Sequence, residues 1–418
     1  MRIAQVAPLA ESVPPKLYGG SERVVFWLTE ELFRQGHDVT LFASGDSQTR
    51  AKLVPCAPQA LRLAGVRDHT ASLLVMLDEV RRMADEFDII HFHVDLLQFP
   101  VFQDLFHKSL TTMHGRLDLP DLHPIYRAYP EMPLVSISED QRRPMPPVNW
   151  VATIHHGLPP ELYPFNPTGG EYLAFLGRIA PEKRPDRAIE IAKRVGVPLK
   201  IAAKVDQVDQ EYFASEIEPL LSHPLIEFIG EIDDSHKADF LGRALALVFP
   251  IDWPEPFGLV MIEAMSAGTP VIAWGKGSVP EVVEHNVTGI IVDSIEAATD
   301  AVEQVRRINR HRVRSRFVFR FSVSRMAASY VEAYCQILQE APIIPQNVRM
   351  NGSKNAVGLN ERREPSSSTE SAVPSTRLSN TAAPEEAAGH LCRAGAVDDV
   401  KRKAAEPGLM WQHDADRN

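Results

Sequence analysis

Asp252-Trp-Pro-Glu-Pro-Phe-Gly-Leu-Val-Met-Ile-Glu-Ala-Met-Ser-Ala-Gly-Thr-Pro270 decides the fold of this chain. The apolar run before it, Leu245 to Phe249, reads as a buried strand. Pro254 and Pro256 keep the backbone extended, because a residue before proline is pushed out of the helical region. Gly258 allows a close backbone approach, and a helix starts there with Leu259, Ile262 and Met265 at helical spacing. Gly268 stops that helix, and Pro270 opens the next apolar run, Val271 to Ala273. Glu255 sits at the mouth of the loop and Glu263 on the helix. Two carboxylates therefore flank one helix N-terminus, the end whose free N–H groups favour anions.

The same α/β alternation extends outward on both sides. Ile3 to Ala7 reads as a first strand, followed by a Pro- and Gly-rich loop ending in Gly19-Gly20. A helix from about Ser21 to Gln35 carries Val24, Val25, Leu28 and Leu32 on one face, and Val39 to Ala43 is the second strand. This βαβ unit has a helix N-terminus suited to phosphate, but its spacing is not that of the nicotinamide fingerprint. A helix is expected from about Ala71 to Asp85. Three later strands end in polar residues: Ile89 to His93, Leu110 to His114 and Leu134 to Ser138. Ligands of open parallel sheets bind at the carboxyl ends of strands, which places His93, His114 and Ser138 where chemistry would be. His91 and His93 lack a third ligand, so a metal site is discounted. Val151 to Gly157 closes this half, and the turn formers from Leu158 to Gly170 read as a linker. Beyond it, strands at Tyr172 to Gly177, Leu199 to Ala203 and Ile226 to Gly230 repeat the pattern, with a helix from about Asp186 to Val195.

Glu255 and Glu263, with seven residues between them, Pro-Phe-Gly after the first and Ala-Met-Ser-Ala-Gly-Thr-Pro-Val after the second, resemble a known signature. It is that of the retaining nucleotide-sugar glycosyltransferases of family 4 (group 1), which have the GT-B fold. The resemblance covers about residues 1–340. It is carried further by Gly177-Arg178 and Pro181-Glu182-Lys183, by His114-Gly115, and by Ser278 to Glu284 and Val287 to Asp293. It implies two Rossmann-like α/β domains facing across a cleft: 1–160 on the acceptor side, 161–322 binding the nucleotide-sugar. A crossover helix, 323–341, returns to the first domain. Asn286 stands where the family often has glycine.

What the resemblance implies for the site is specific. Glu255 and His114 act on the donor sugar, and Glu263 takes the ribose. Arg178 and Lys183 hold the donor diphosphate. Phe257, Gly258 and Leu259 complete the donor loop, Gly19 and Gly20 face the diphosphate from the other side, and the loops after Ala203 and Gly230 seat the base. Cations there suit the chemistry, because a leaving diphosphate accumulates negative charge. The expected reaction is retaining transfer without a metal or other cofactor, the nucleotide-sugar being a substrate. UDP-glucose, common in the family, is the expected donor. The acceptor is a hydroxyl; Phe42 to Asp46 resembles a bacterial subgroup that glucosylates a pterin. A sugar-nucleotide epimerase of the same fold, or an inactive sugar-nucleotide sensor, are the alternatives.

Composition bounds the partners. The net charge is −11. From Pro342 onward ten basic and ten acidic residues cancel, so residues 1–341 carry the whole excess, which argues against nucleic acid. The basic exception is Arg306 to Arg316, with six arginines and His311. It reads as the solvated face of a helix and its following loop, with a patch for anionic lipid as the alternative. Cys56, Cys335 and Cys392 have no metal-ligand spacing, no basic start with a long apolar core marks a leader, and no apolar run reaches membrane-spanning length. A cytoplasmic protein is expected. Residues 342–418, rich in Ser, Pro, Ala, Glu and Arg, read as a disordered tail, with Asp414-Ala-Asp416 a chance match to a metal motif.

Overall fold

The computed structural model describes residues 1–16 and 19–340. The expected tail, Cys392, Asp414-Ala-Asp416 and the last residue of the expected crossover helix lie outside them. Two all-parallel sheets organise the chain. The first is built from β1 (Arg2–Val6), β2 (Asp38–Ser44), β3 (Lys52–Ala57), β4 (Ile89–Phe92), β5 (Ser109–Met113), β6 (Leu134–Ser136) and β7 (Trp150–Thr153), in the order β3-β2-β1-β4-β5-β6-β7. The second comprises β8 (Tyr172–Arg178), β9 (Leu199–Lys204), β10 (Ile226–Gly230), β11 (Ala244–Phe249), β12 (Val271–Trp274) and β13 (Gly289–Val292), in the order β10-β9-β8-β11-β12-β13. In both, the order reverses beside the first strand, which opens a crevice at the carboxyl ends.

The central strands are buried on both faces. Ile3, Ala4, Ile89, Ile90, Leu247 and Ile272 are fully covered, as expected of parallel strands sandwiched by helices. The helices that matter for the site are α1 (Gly20–Arg34), α2 (Thr70–Arg82), α3 (Glu139–Arg142), α4 (Pro185–Val195), α5 (Asp234–Gly242), α6 (Leu259–Ser266), α7 (Ile295–Val305), α8 (Arg310–Phe321) and α9 (Val323–Glu340). α9 packs on the first sheet: Gln5 in β1 donates to the Tyr334 hydroxyl at 3.1 Å, and Tyr330 meets Thr112 of β5 at 2.9 Å.

The structure revises several expectations. β3 was not anticipated: Pro55 breaks its strand pattern, and such a residue is tolerated because β3 is an edge. α2 ends at Arg82 rather than Asp85, with a separate turn at Ala84–Glu86. Phe321 closes α8, Ser322 is extended, and Val323 starts α9. The expected linker is tied to the second half: Leu158 exchanges backbone bonds with Phe321 and Val323, and Asn166 donates to the Ala267 carbonyl at 3.0 Å. Asn286 has φ 64°, the left-handed region that asparagine tolerates better than other non-glycine residues, which accounts for a family glycine at that position.

The arginine run is the main correction. The run is divided: Arg306, Arg307 and Arg312 are exposed, whereas Arg310, Arg314 and Arg316 are half-buried and bonded to the protein. Arg310 donates to the carbonyls of Asn166 (2.8 Å), Gly242 (2.8 Å) and Ala244 (3.0 Å) and to the Thr269 hydroxyl (2.7 Å). Burial lowers its pKa to about 10. Arg314 bonds the carbonyls of Ser266 and Pro160, and Arg316 pairs with Glu284 at 2.7 Å. Arg310 and Arg314 fasten α8 to the linker and the end of α6, and Arg316 ties it to Glu284. Arg310→Met should therefore lower the unfolding free energy by about 2 kcal/mol, since several buried carbonyls lose a charged donor. The exposed Arg312→Met change should cost roughly nothing. Urea titration of both variants checks the contrast.

Candidate functional site

The crevices of the two sheets face each other across one cleft of about 1300 Å³, open solvent included. Its walls come from both halves. Gly19, Gly20 and His114 stand on one side; Arg178, Lys183, Glu255, Phe257, Gly258, Leu259 and Glu263 stand on the other. The structure thus brings all ten sequence-selected residues to one place. In a chain of net charge −11, this cleft is lined by six cations (Lys16, Arg23, Arg178, Lys183, Lys204, Lys237) against four carboxylates (Glu231, Asp233, Glu255, Glu263). Such a local excess attracts anions.

The donor-loop geometry follows from its glycines. Gly258 caps α6 with φ 76°, and a side chain there would press on the Phe249 ring. Gly277, at φ 56°, lies so close under Glu255 that a Cβ would come within 2.3 Å of its backbone nitrogen. Only glycine fits. The Ser278 N–H then donates to the Glu255 carbonyl at 2.9 Å, and the Ser278 hydroxyl to the Phe257 carbonyl at 2.8 Å. The 275–278 turn thus sets the height of the loop.

Glu255 is 4% exposed. Its Oε2 accepts from Lys183 Nζ at 2.5 Å and from Trp253 Nε1 at 2.9 Å. Trp253 was not singled out in the sequence, although it stands two residues before the glutamate. Its ring has Lys183 Nζ at 4.7 Å and the Arg116 guanidinium, from the opposite wall, at 5.8 Å. Glu263 lies in the second turn of α6 rather than at its N-terminus. Its Oε1 accepts from the Tyr163 hydroxyl at 3.1 Å and from Lys237 Nζ at 3.3 Å. Burial pushes the Lys237 pKa down, opposed by Glu263.

Arg178 is 2% exposed and sits among carboxylates. It donates to Glu182 at 2.6 Å, with Asp209 at 3.4 Å and Asp206 at 3.8 Å. Among the described residues its Nε has no hydrogen-bond partner. A diphosphate reaching it would meet a guanidinium already neutralised on its other edge. The end of β9 and the loop after β10 bring Lys204, Glu231, Ile232 and Asp233 to the cleft, at the end expected to seat the base.

On the opposite wall, Gly19 caps α1 and Gly20 begins it, 3.5 Å from Leu259 when extended by a Cβ. His93 lies one residue, and Ser138 two residues, past their strand ends. His93 is not a metal ligand in this arrangement. Its Nε2 meets Gln5 Oε1 at 2.7 Å and its Nδ1 meets His114 Nε2 at 2.9 Å. Burial drives the pKa of His93 well below the imidazole norm and that of His114 to about 4, the latter opposed by Asp95. His156 stacks on His114 with ring centroids 5.3 Å apart. Among the described residues no group of three His, Cys, Asp or Glu side chains is arranged to hold a metal ion.

Bonds also cross the rim of the cleft. The Ser138 hydroxyl donates to the Pro256 carbonyl at 2.6 Å. The Glu139 and Asp140 N–H groups, at the start of α3, each donate to Glu281 at 2.8 Å, and His155 Nε2 lies 3.2 Å from the same carboxylate. Burial pushes the Glu281 pKa up, but these bonds outweigh it and the net shift is downward.

Comparison with known proteins agrees with this geometry. Residues 18–137 match the model of Glycosyltransferase Family 4, and residues 164–316 match that of Glycosyl transferases group 1. A D-inositol 3-phosphate glycosyltransferase of Mycobacterium leprae is 32% identical over 158 residues, 34% of this chain. The match spans about a third (35%) of that relative's length. Sucrose-phosphate synthase from Thermosynechococcus elongatus superposes with TM-score 0.66 at 19% identity, covering 81% of this chain and 99% of that one. Anabaena HepE in complex with UDP and glucose superposes with TM-score 0.63 at 17% identity, covering 80% of this chain and 100% of that one. The chain belongs to the group 1 glycosyltransferases and has the GT-B fold. Among the described residues no helix is long and apolar enough to cross a membrane.

Proposed function

We propose that this protein transfers a sugar from a nucleoside diphosphate sugar to a hydroxyl acceptor, with retention at the anomeric carbon. The observation that carries this reading is the buried Glu255–Lys183 pair, held by Trp253 at the point where the two walls meet. The carboxylate is placed to offset positive charge on the reacting sugar ring. Lys183 and Arg178 are placed to offset negative charge on the departing diphosphate. The diphosphate oxygen, once free, takes the acceptor proton. UDP-glucose is the donor we favour; HepE was solved with UDP and glucose, which supports testing it first. The acceptor is a small hydroxylated molecule, with a reduced pterin the first candidate. Incubation with a panel of sugar nucleotides, following nucleotide release and product mass, tests the reading. Interconversion of the sugar without release would indicate epimerisation, and binding without turnover a sensor.

Two results are expected of the donor side. Because lysine and arginine supply the positive charge at the diphosphate, activity should persist in EDTA. Loss in EDTA with restoration by Mg²⁺ or Mn²⁺ would refute that account. Glu263→Ala should weaken the donor and the free nucleoside diphosphate together. A lost hydrogen bond to a charged group costs on the order of 1.5–3 kcal/mol, roughly ten- to a hundredfold in affinity. Calorimetric titration of UDP reads this directly; unchanged UDP affinity would remove Glu263 from the ribose site.

A further inference from the structure

A continuous chain of buried hydrogen bonds runs from the cleft to α9. Its polarity is set by the orientation of the Gln5 amide, whose Nε2 faces Tyr334 and whose Oε1 faces His93. Gln5 Nε2 donates to the Tyr334 hydroxyl, which leaves Gln5 Oε1 to accept. The atom facing Oε1 is His93 Nε2, at 2.7 Å, so that nitrogen carries the proton. A neutral His93 then has a bare Nδ1, and His114 Nε2, 2.9 Å away, must donate to it. His114 therefore has its proton on Nε2 and a lone pair on Nδ1. On the far branch, Tyr334 donates to His91 Nδ1 at 2.8 Å and His91 Nε2–H donates to Thr112 at 2.7 Å. Gln5, His91, His93 and Thr112 are all at most 2% exposed, so water does not compete for these bonds. Double protonation is disfavoured too: the His91 and His93 rings have centroids 4.0 Å apart.

We propose that Gln5 and His93 are positioning residues that lock His114 in one tautomer, so that its Nδ1 meets the donor sugar as an acceptor. The site thereby selects a sugar with a free hydroxyl at that point over a deoxy sugar or a uronic acid. The inference rests on the glycosyl-transfer reading above. A buried acceptor with a fixed lone pair rejects a partner that cannot donate, because the polar group is left unsatisfied. A sugar carboxylate at that point has no proton to give. His114 stays neutral through this selection, since burial holds its pKa at about 4.

The test has two arms. Nitrogen-15 shifts of the imidazole rings in the full chain, with the His114 signals identified by loss in His114→Asn, report which nitrogen is protonated. A protonated Nε2 and a bare Nδ1 are expected between pH 6 and 8; a proton on Nδ1 overturns the proposal. This arm needs no substrate, so it stands even if no donor turns over. The second arm compares UDP-glucose with its singly deoxygenated analogues. One analogue should react about ten- to a hundredfold more slowly than UDP-glucose in the wild type. His93→Leu should erase most of that discrimination while UDP affinity is kept. His93→Gln should restore it, because a carboxamide offers Gln5 a donor and His114 an acceptor. A purely structural role would instead lower melting temperature and turnover for all donors alike. Unchanged discrimination in His93→Leu overturns the selection.

Discussion

Glu255→Gln should lower turnover by about a hundred- to a thousandfold, the usual effect of removing one preorganised electrostatic group. Affinity for free UDP should remain roughly unchanged. The substitution is nearly isosteric. It can still accept from Trp253 or Lys183, so the loop over Gly277 keeps its course. What disappears is negative charge at a site 4% exposed, where water cannot replace it. The interaction is stronger with the charged transition state than with the bound donor, so kcat falls and KM does not rise with it. Lys183 is left beside a neutral amide, 2.5 Å from the former carboxylate oxygen. Breaking a buried pair costs on the order of 3–5 kcal/mol, so a lowered melting temperature should accompany the kinetic loss. Steady-state kinetics with UDP calorimetry and thermal melting decide the matter. A variant that loses UDP but retains turnover at saturation would assign Glu255 to binding instead.

The protein should lose stability steeply in mild acid, between about pH 6.5 and 5. Four imidazoles, those of His91, His93, His114 and His156, are buried, and burial depresses all four pKa values. Their mutual repulsion adds to this for His91, His93 and His156, while Asp95 partly opposes it at His114. The unfolded chain takes up these protons near pH 6.5 and the folded chain does not. Stability from each is therefore complete above the unfolded pKa and is lost as pH falls toward the folded value, about 4 for His114. Each group contributes a slope of up to about 1.4 kcal/mol per pH unit. Together they can exhaust an ordinary stability of roughly 5–15 kcal/mol before most carboxylates titrate. Melting temperature measured by circular dichroism from pH 8 to 4.5 checks this. A flat profile down to pH 5 would mean that the imidazoles are hydrated.

Much of this architecture was legible in the chain because its strands and helices obey simple periods and its turns carry Gly and Pro. Glu255, Glu263, Arg178, Lys183 and His114 were gathered by their resemblance to the family motifs, while periodicity located only the strands and helices that carry them. The failures have physical causes. β3 is an edge with a proline, so the alternation that marks a strand is absent. Arg310 and Arg314 look like surface charges in any local window. Only the carbonyls that reach them from Asn166, Gly242 and Ser266 make them interior groups. Trp253 and Gly277 were invisible for a related reason. Their importance is a distance to Glu255, and nothing in the local period of either residue encodes it.

The bonds across the rim have a further consequence. Ser138 holds Pro256, and Glu281 is held by α3 and His155, so the two halves are joined by direct polypeptide bonds beside the donor loop. The same fastening makes traffic the difficulty. If the proposed nucleotide leaves only when these bonds part, its release should respond to substitutions at Glu281, which does not line the cleft.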